Sequence, residues 1–256
     1  MKRALPRAHF NSAHLVHFLT ENAMLAPACE GAEWGQKLGD WLNFRQAIAL
    51  HGVLNPDIPS ATPPAHLRRS PTMTGQALRR LVDKLRAQLV QSIEQGAPPG
   101  TGLARIEMPA PELDNPLEPK TAFEPYRRFY AAHQRQMEVS VQKLRAQLRT
   151  QLRKCSAPLQ QLADLDERYE NILSERESVL LGQVAKLHEK RFVQALKLHI
   201  KQCQESDQGA ERQAVSVWLM PLRQAMRSAL LAELDTRLQP TLGLLDAFNQ
   251  ENPQEQ

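Results

Sequence analysis

The residues best equipped for chemistry are few and poorly grouped. His9, His14 and His17 cluster near the N-terminus, and positions 14 and 17 share a helix face, as a pair of metal ligands would. A metal needs a third and a fourth ligand, and only Glu21 and Cys29 stand nearby, at no familiar spacing. Ser12, Ser174 and Ser216 lie in no GxSxG-like turn, and no cysteine sits beside a histidine in a setting that would activate it. Neither GxxxxGK[ST] nor GxGxxG occurs, so there is no glycine-rich loop to cradle phosphates. Asp164 with Asp166, and Glu175 with Glu177, are two residues apart and on a helix turn to different faces. The expectation is a protein with no catalytic residue, no metal and no cofactor.

The stretch FEPYRRFYAAHQRQMEVSVQKLRAQLRTQLRK, residues 123–154, carries a different kind of chemistry. From Arg127 to Lys154, eight basic residues meet one acid, Glu138. A stripe of this kind attracts phosphate backbones through counterion release. Arg127, Arg128, Arg135, Arg145, Arg149 and Arg153 are the candidate nucleic-acid contacts, with Tyr126, Phe129 and Tyr130 able to stack on bases. Tyr and Phe at spacings of three and four more often line a core, and where they stay partly exposed they anchor a protein partner. Tyr126, Phe129, Tyr130 and Trp218 are therefore the candidate anchors of a partner interface. The following segment is rich in acids, Asp164, Asp166, Glu167, Glu170, Glu175 and Glu177, and would neutralise part of the stripe if the two helices packed antiparallel. A third reading takes Met137, Val141, Leu144 and Leu148 as the seam of a coiled-coil homodimer.

The elements that must position these residues are helical. The chain has 256 residues, 5% aromatic content and 11 glycines, a mix that favours helix over sheet. The net charge of +4 is mild and both signs are interspersed, which argues little for nucleic acid or membrane as a whole-surface property. Three scattered cysteines, Cys29, Cys155 and Cys203, read as reduced thiols of a cytoplasmic protein. The basic N-terminus has its apolar run interrupted by Pro6, Asn11 and three histidines, and no run of about 18 apolar residues occurs to span a membrane.

The pattern predicts an all-α protein in six parts. Residues 10–54 form an N-terminal module, with Asn11 or Ser12 capping a helix that carries Leu15, Phe18 and Leu19. A second helix, near Trp34 to Val53, completes a hairpin with an aromatic core. Residues 55–71 are a Pro-rich linker, 72–95 a single amphipathic helix with Leu78, Leu81, Val82, Leu85, Leu89 and Ile93 on one side, and 96–120 a second Pro-rich linker, extended or disordered. Residues 121–248 form an antiparallel bundle of three long helices, and 249–256 a disordered tail. The first long helix starts at a Thr121/Glu124 capping box or with Pro125 at its first position. The second carries Leu162, Leu165, Tyr169, Ile172, Leu180, Val184, Leu187, Ala195 and Leu198 as its stripe. The third carries Trp218, Leu219, Leu222, Met226, Leu230, Leu234 and Leu238, with Pro221 in its first turn or kinking it, and a kink or stop at Pro240.

Three stretches, FNSAHLVHFLTE with LGDWLNFRQAIALHGVLN, FEPYRRFYAAHQRQME, and LLAELDTRLQPTLGLLDAF, together resemble a proteobacterial family of proteins of about this length. Its members are encoded beside a MotA-like membrane protein and an OmpA-like peptidoglycan-binding protein, neighbourhoods assigned to type III Zorya antiphage defence systems. The resemblance covers the ends and the middle but not the Pro-rich linkers. It implies a cytosolic accessory component that partners a membrane-embedded, ion-driven motor or a companion accessory protein, recruited to the inner membrane only through that partner. It supplies no catalytic residues.

Overall fold

The computed structural model describes residues 14–21, 41–54, 73–96, 100–110, 119–205 and 211–252. The readings placed on His9, Cys29, Trp34, Leu38, the first Pro-rich linker and the last four residues fall outside them. Among the described residues the regular structure is helical throughout: α1 (His14–Glu21), α2 (Phe44–Leu54), α3 (Gly75–Gln95), α4 (Pro119–Leu152), α5 (Ala157–Glu205) and α6 (Glu211–Glu251). The protein is all-α.

The three long helices form the body. α4 and α5 are an antiparallel hairpin, fixed in register by Arg153 on Asp164 near the turn and by Arg127 on Glu189 far from it. α6 returns antiparallel to α5, with Trp218 against Phe192 and Arg237 on Glu177. Leu219, Leu222, Met226, Leu230, Leu234 and Leu238 of α6 are all buried, as their spacing predicts. The stripe then continues through Leu244, Leu245 and Phe248, because the helix does not stop at Pro240. Pro125, Pro221 and Pro240 are all helix-interior and exposed. A ring on the solvent side leaves the unbonded carbonyl one turn back facing water, so packing on the other side can carry the helix past it. Neither expected start of α4 is observed; the helix already runs from Pro119, and it is α6 that reaches into the expected tail.

The turn between α4 and α5 follows its sequence. Ser156 accepts from the Leu159 amide as an N-cap, and Pro158 sits in the first turn, where its missing N–H is no loss.

The shorter elements do not stand apart as the sequence suggests. α1 buries Leu15 and Leu19 in the core of the long bundle, against α6, while α2 lies along α5. Among the described residues the two helices attach to different long helices. α3, capped by the Thr74 hydroxyl on the Ala77 amide, buries Leu78, Val82, Leu89 and Ile93 against α6 and α4. It is a fourth bundle helix. It ends at Gly96, whose φ of 91° closes the helix through an N–H to the Ser92 carbonyl, a conformation that suits glycine. Within the expected second linker, residues 100–110 are non-helical but packed, with Leu103, Ile106 and Met108 against the main core and the Ala110 carbonyl accepting from the Tyr126 hydroxyl.

Candidate functional site

The basic stripe of α4 divides in two. In its C-terminal half the three arginines face α5 and are matched there. Arg145 donates to both carboxylate oxygens of Asp166, at 2.8 and 2.5 Å. Arg149 bridges Asp166 at 3.0 Å and Glu170 at 2.6 Å. Arg153 bonds Asp164 at 2.8 Å and Glu167 at 2.7 Å. With side-chain exposures of 6% for Arg149, 11% for Asp166 and 15% for Glu170, the middle of this ladder is withdrawn from water. Charge-assisted bonds in such a setting are short and directional and hold register. Their phosphate-binding capacity is spent inside the chain. Arg145, Arg149 and Arg153 therefore do not form the open grip that the sequence suggested.

The N-terminal half keeps more of its charge in solvent. Arg127 is shared between Glu124 and Glu189, and Arg128 leans on Glu124 while 79% exposed. Arg135 donates to its own helix, at the Ala131 carbonyl.

The aromatic residues of the same helix are structural. Tyr126, Phe129 and Tyr130 are buried, and Phe123, Tyr126 and Trp218 surround Phe192, with ring centroids 5.3 to 5.9 Å from its own. Trp218 is half-buried, stacked on His199. Tyr126, Phe129 and Tyr130 are not free as anchors for a partner or platforms for bases, because their apolar area already closes the α4–α5–α6 core, and Trp218 packs its buried side on the same cluster. Met137, Val141, Leu144 and Leu148 are likewise consumed within the chain, so that seam is not open for a homodimer.

A polar network lies in that core. Glu233 accepts from Gln134 at 2.9 Å and from Arg237 at 3.0 Å, with the Tyr130 hydroxyl at 3.4 Å. Burial raises the Glu233 carboxyl above its usual range against the pull of Arg237, and burial beside Glu233 raises the Tyr130 phenol well above its own. His188, with neither ring nitrogen hydrogen-bonded, and His133, with Nε2 unbonded, are both buried; desolvation lowers each to about 4, with Arg191 adding to the effect at His188. They are neutral core residues near neutral pH.

The surface that stands out is one the sequence reading assigned to a core. α2 opens with a capping box in which the Gln46 amide N–H donates to Asn43 Oδ1 and the Asn43 amide N–H to Gln46 Oε1. Its inner face, with buried Leu50, is clamped to α5: Arg176 donates to the Trp41 carbonyl at 2.9 Å and lies 5.3 Å from its ring, and Gln161 donates to the Val53 carbonyl. Its outer face is apolar as well. Phe44 is 80% exposed, Ile48 56% and Leu54 53%, on a helix with no acidic residue. Apolar residues on both sides of α2 were the available signal; which side would be covered depended on where α5 lay. A second, open apolar groove of about 390 Å³ runs between residues 102–106 and the exposed flank of α4 at Ala132, Arg135 and Val139.

Among the described residues no cluster of His, Cys, Asp and Glu could hold a metal, and no helix is long and apolar enough to cross a membrane. The side chains of His14, His17 and Cys203 lie outside the described set, while Cys155 is a free thiol whose pKa burial pushes up.

Fold and surfaces together define a helical-bundle protein whose polar clusters serve packing. The sequence matches, over residues 1–250, the family described as protein of unknown function (DUF3348), and the chain belongs to that family. No curated protein and no solved structure matches it.

Proposed function

We propose that this protein is a non-catalytic cytosolic adaptor that works by protein recognition. On the resemblance described above, its partner is a MotA-like/OmpA-like motor complex, or a companion accessory protein, of a type III Zorya antiphage defence system. The observation that carries the reading is the outward face of α2. Exposing Phe44 and Ile48 on one face of a capped, clamped helix, with Leu54 exposed at its end, leaves apolar area in water that a partner would cover. Beside Arg176, which holds the Trp41 carbonyl, α5 exposes Glu175. The occupant that fits is an amphipathic helix with an apolar stripe and a basic rim. Nucleic-acid contact through the 126–154 helix has less support, because Arg145, Arg149 and Arg153 already have carboxylate partners.

The test is co-purification of the tagged protein with the products of its neighbouring motor and accessory genes, beside a Phe44→Ser, Ile48→Ser variant. The expected result is capture by the wild type and loss in the variant, with both melting at the same temperature. Capture that survives in the variant, or a wild type that retains none of those products, refutes the adaptor reading.

A further inference from the structure

α5 changes character along its length. From residue 157 to 180 it carries six acids and two arginines, and four of these acids, Asp164, Asp166, Glu167 and Glu170, supply the ladder to α4. From residue 183 to 202 it carries Lys186, Lys190, Arg191, Lys197 and Lys201 against the single acid Glu189. Glu189 is occupied, accepting from Arg127 of α4 at 2.8 Å.

The lysines are placed as a row. Gln183, Lys186, Lys190, Gln194, Lys197 and Lys201 recur at threes and fours, which sets them on one helical face, and all six are exposed. That face lies opposite the side buried through Val184, His188, Phe192, Leu196 and His199. Lys186, Lys190 and Lys197 make no ion pair among the described residues, in contrast with Arg127, Arg128, Arg145, Arg149 and Arg153 of α4. From Gln183 to Lys201 the row runs for about 27 Å at 1.5 Å per residue. Arg127, bound to the residue before Lys190, brings the α4 terminus alongside, with Arg128 exposed next to it.

We propose that this row is a binding site for the phosphate backbone of a nucleic acid, gripped without base readout. The site goes beyond the adaptor reading and is independent of it. Three features favour a linear polyanion over an anionic bilayer. The charges form a narrow line on a convex helix rather than a flat patch. The interleaved residues are glutamines, which hydrogen-bond phosphate and sugar oxygens but do not insert into lipid. Leu198 is the single large apolar residue exposed beside the row between residues 183 and 201, where an interfacial helix would need a continuous apolar face. With no aromatic side chain on the face, stacking contributes nothing, and attraction rests on counterion release.

The experiment measures fluorescence anisotropy of a labelled DNA duplex two helical turns long, with single-stranded DNA and duplex RNA of the same length as further arms, titrated with the full chain across a salt series. One variant carries Lys186→Gln, Lys190→Gln and Lys197→Gln. A control carries Arg80→Gln, Lys84→Gln and Lys143→Gln, the same charge change at exposed positions on α3 and α4. Three phosphate contacts predict a log–log salt slope of about −2.7, a loss of about 40-fold between about 50 and about 200 mM salt. The row variant is expected to lose that slope while the control keeps it. Absence of binding to every nucleic acid at low salt overturns the proposal. So does an equal loss in both variants, which would reduce the effect to net charge. Binding to phosphatidylglycerol vesicles in place of nucleic acid, lost in the row variant, would reassign the row to a lipid surface.

Discussion

Replacing Arg149 by Met tests whether the α4–α5 ladder is structure or a solvated charge run. The substitution keeps an apolar stem and deletes a guanidinium that is 6% exposed and bonded to Asp166 and Glu170 at 3.0 and 2.6 Å. Two charge-assisted bonds at about 1.5 to 3 kcal/mol each set the gross loss. Arg145 stays on Asp166 and stands 3.6 Å from Glu170, so part of the stranded negative charge remains compensated. The expected net cost is near the low end, about 3 kcal/mol, as for a buried pair with one member removed. In a chain of this size that is about 6 to 12 °C in Tm. Urea unfolding should show a lower midpoint at unchanged slope, and a cycle with Glu170→Ala should show coupling of at least about 0.5 kcal/mol. A loss below about 0.5 kcal/mol, the range of exposed pairs, would refute the ladder and return Arg149 to the pool of available cations.

Acid should weaken the fold before the carboxylates titrate. His133 and His188 hold folded pKa values of about 4 against 6.5 unfolded, so between those values the unfolded chain binds more protons and stability falls as pH drops, by up to about 3 kcal/mol per histidine. Glu233, raised in the fold, has the opposite sign and becomes less costly toward acid pH. Urea midpoints at pH 7, 6 and 5 for the wild type and a His188→Phe variant should differ most at the acid end, and parallel curves would disprove the neutral-core assignment. Phe192→Ala should cost about 3 to 5 kcal/mol, since the ring is packed between Phe123, Tyr126 and Trp218; a thermal melt unchanged within about 2 °C would contradict that packing. Asn43→Ala removes the cap of α2 and should cost about 0.5 to 2 kcal/mol of local stability, visible as faster amide exchange at Phe44 to Ala47 with the α4 core unaffected.

The periodicity of α3, α4 and α6 was legible because apolar residues at threes and fours dominate their buried faces. α5 was harder. Its C-terminal half buries His188, Phe192 and His199, whereas the stripe drawn through Leu180, Val184, Leu187, Ala195 and Leu198 takes in Leu180 and Leu198, which are 59% and 58% exposed. The lysine row was hidden by the same phase error, since the outward face is found only once the inward one is right. The acids opposite Arg145 and Arg149 were visible in sequence, but their partnership required antiparallel register, which pattern does not set. Tyr126, Phe129 and Tyr130 illustrate a deeper degeneracy: spacing of three and four defines a face, and the tertiary arrangement decides whether that face meets the chain's own helices or another molecule's.

The 49-residue span of α5 has a mechanical consequence. α2 is fastened along its first half, near Gln161 and Arg176, and the lysine row lies in its second half. No linker intervenes, so the two surfaces sit on one continuous rod at a set spacing, about 33 Å from the level of Ile48 to Lys190 at 1.5 Å per residue. A rod of this kind acts as a gauge. Two ligands whose own attachment points match that interval would be held together with a high effective concentration, and two whose points do not match would compete for the same protein even though their footprints never overlap.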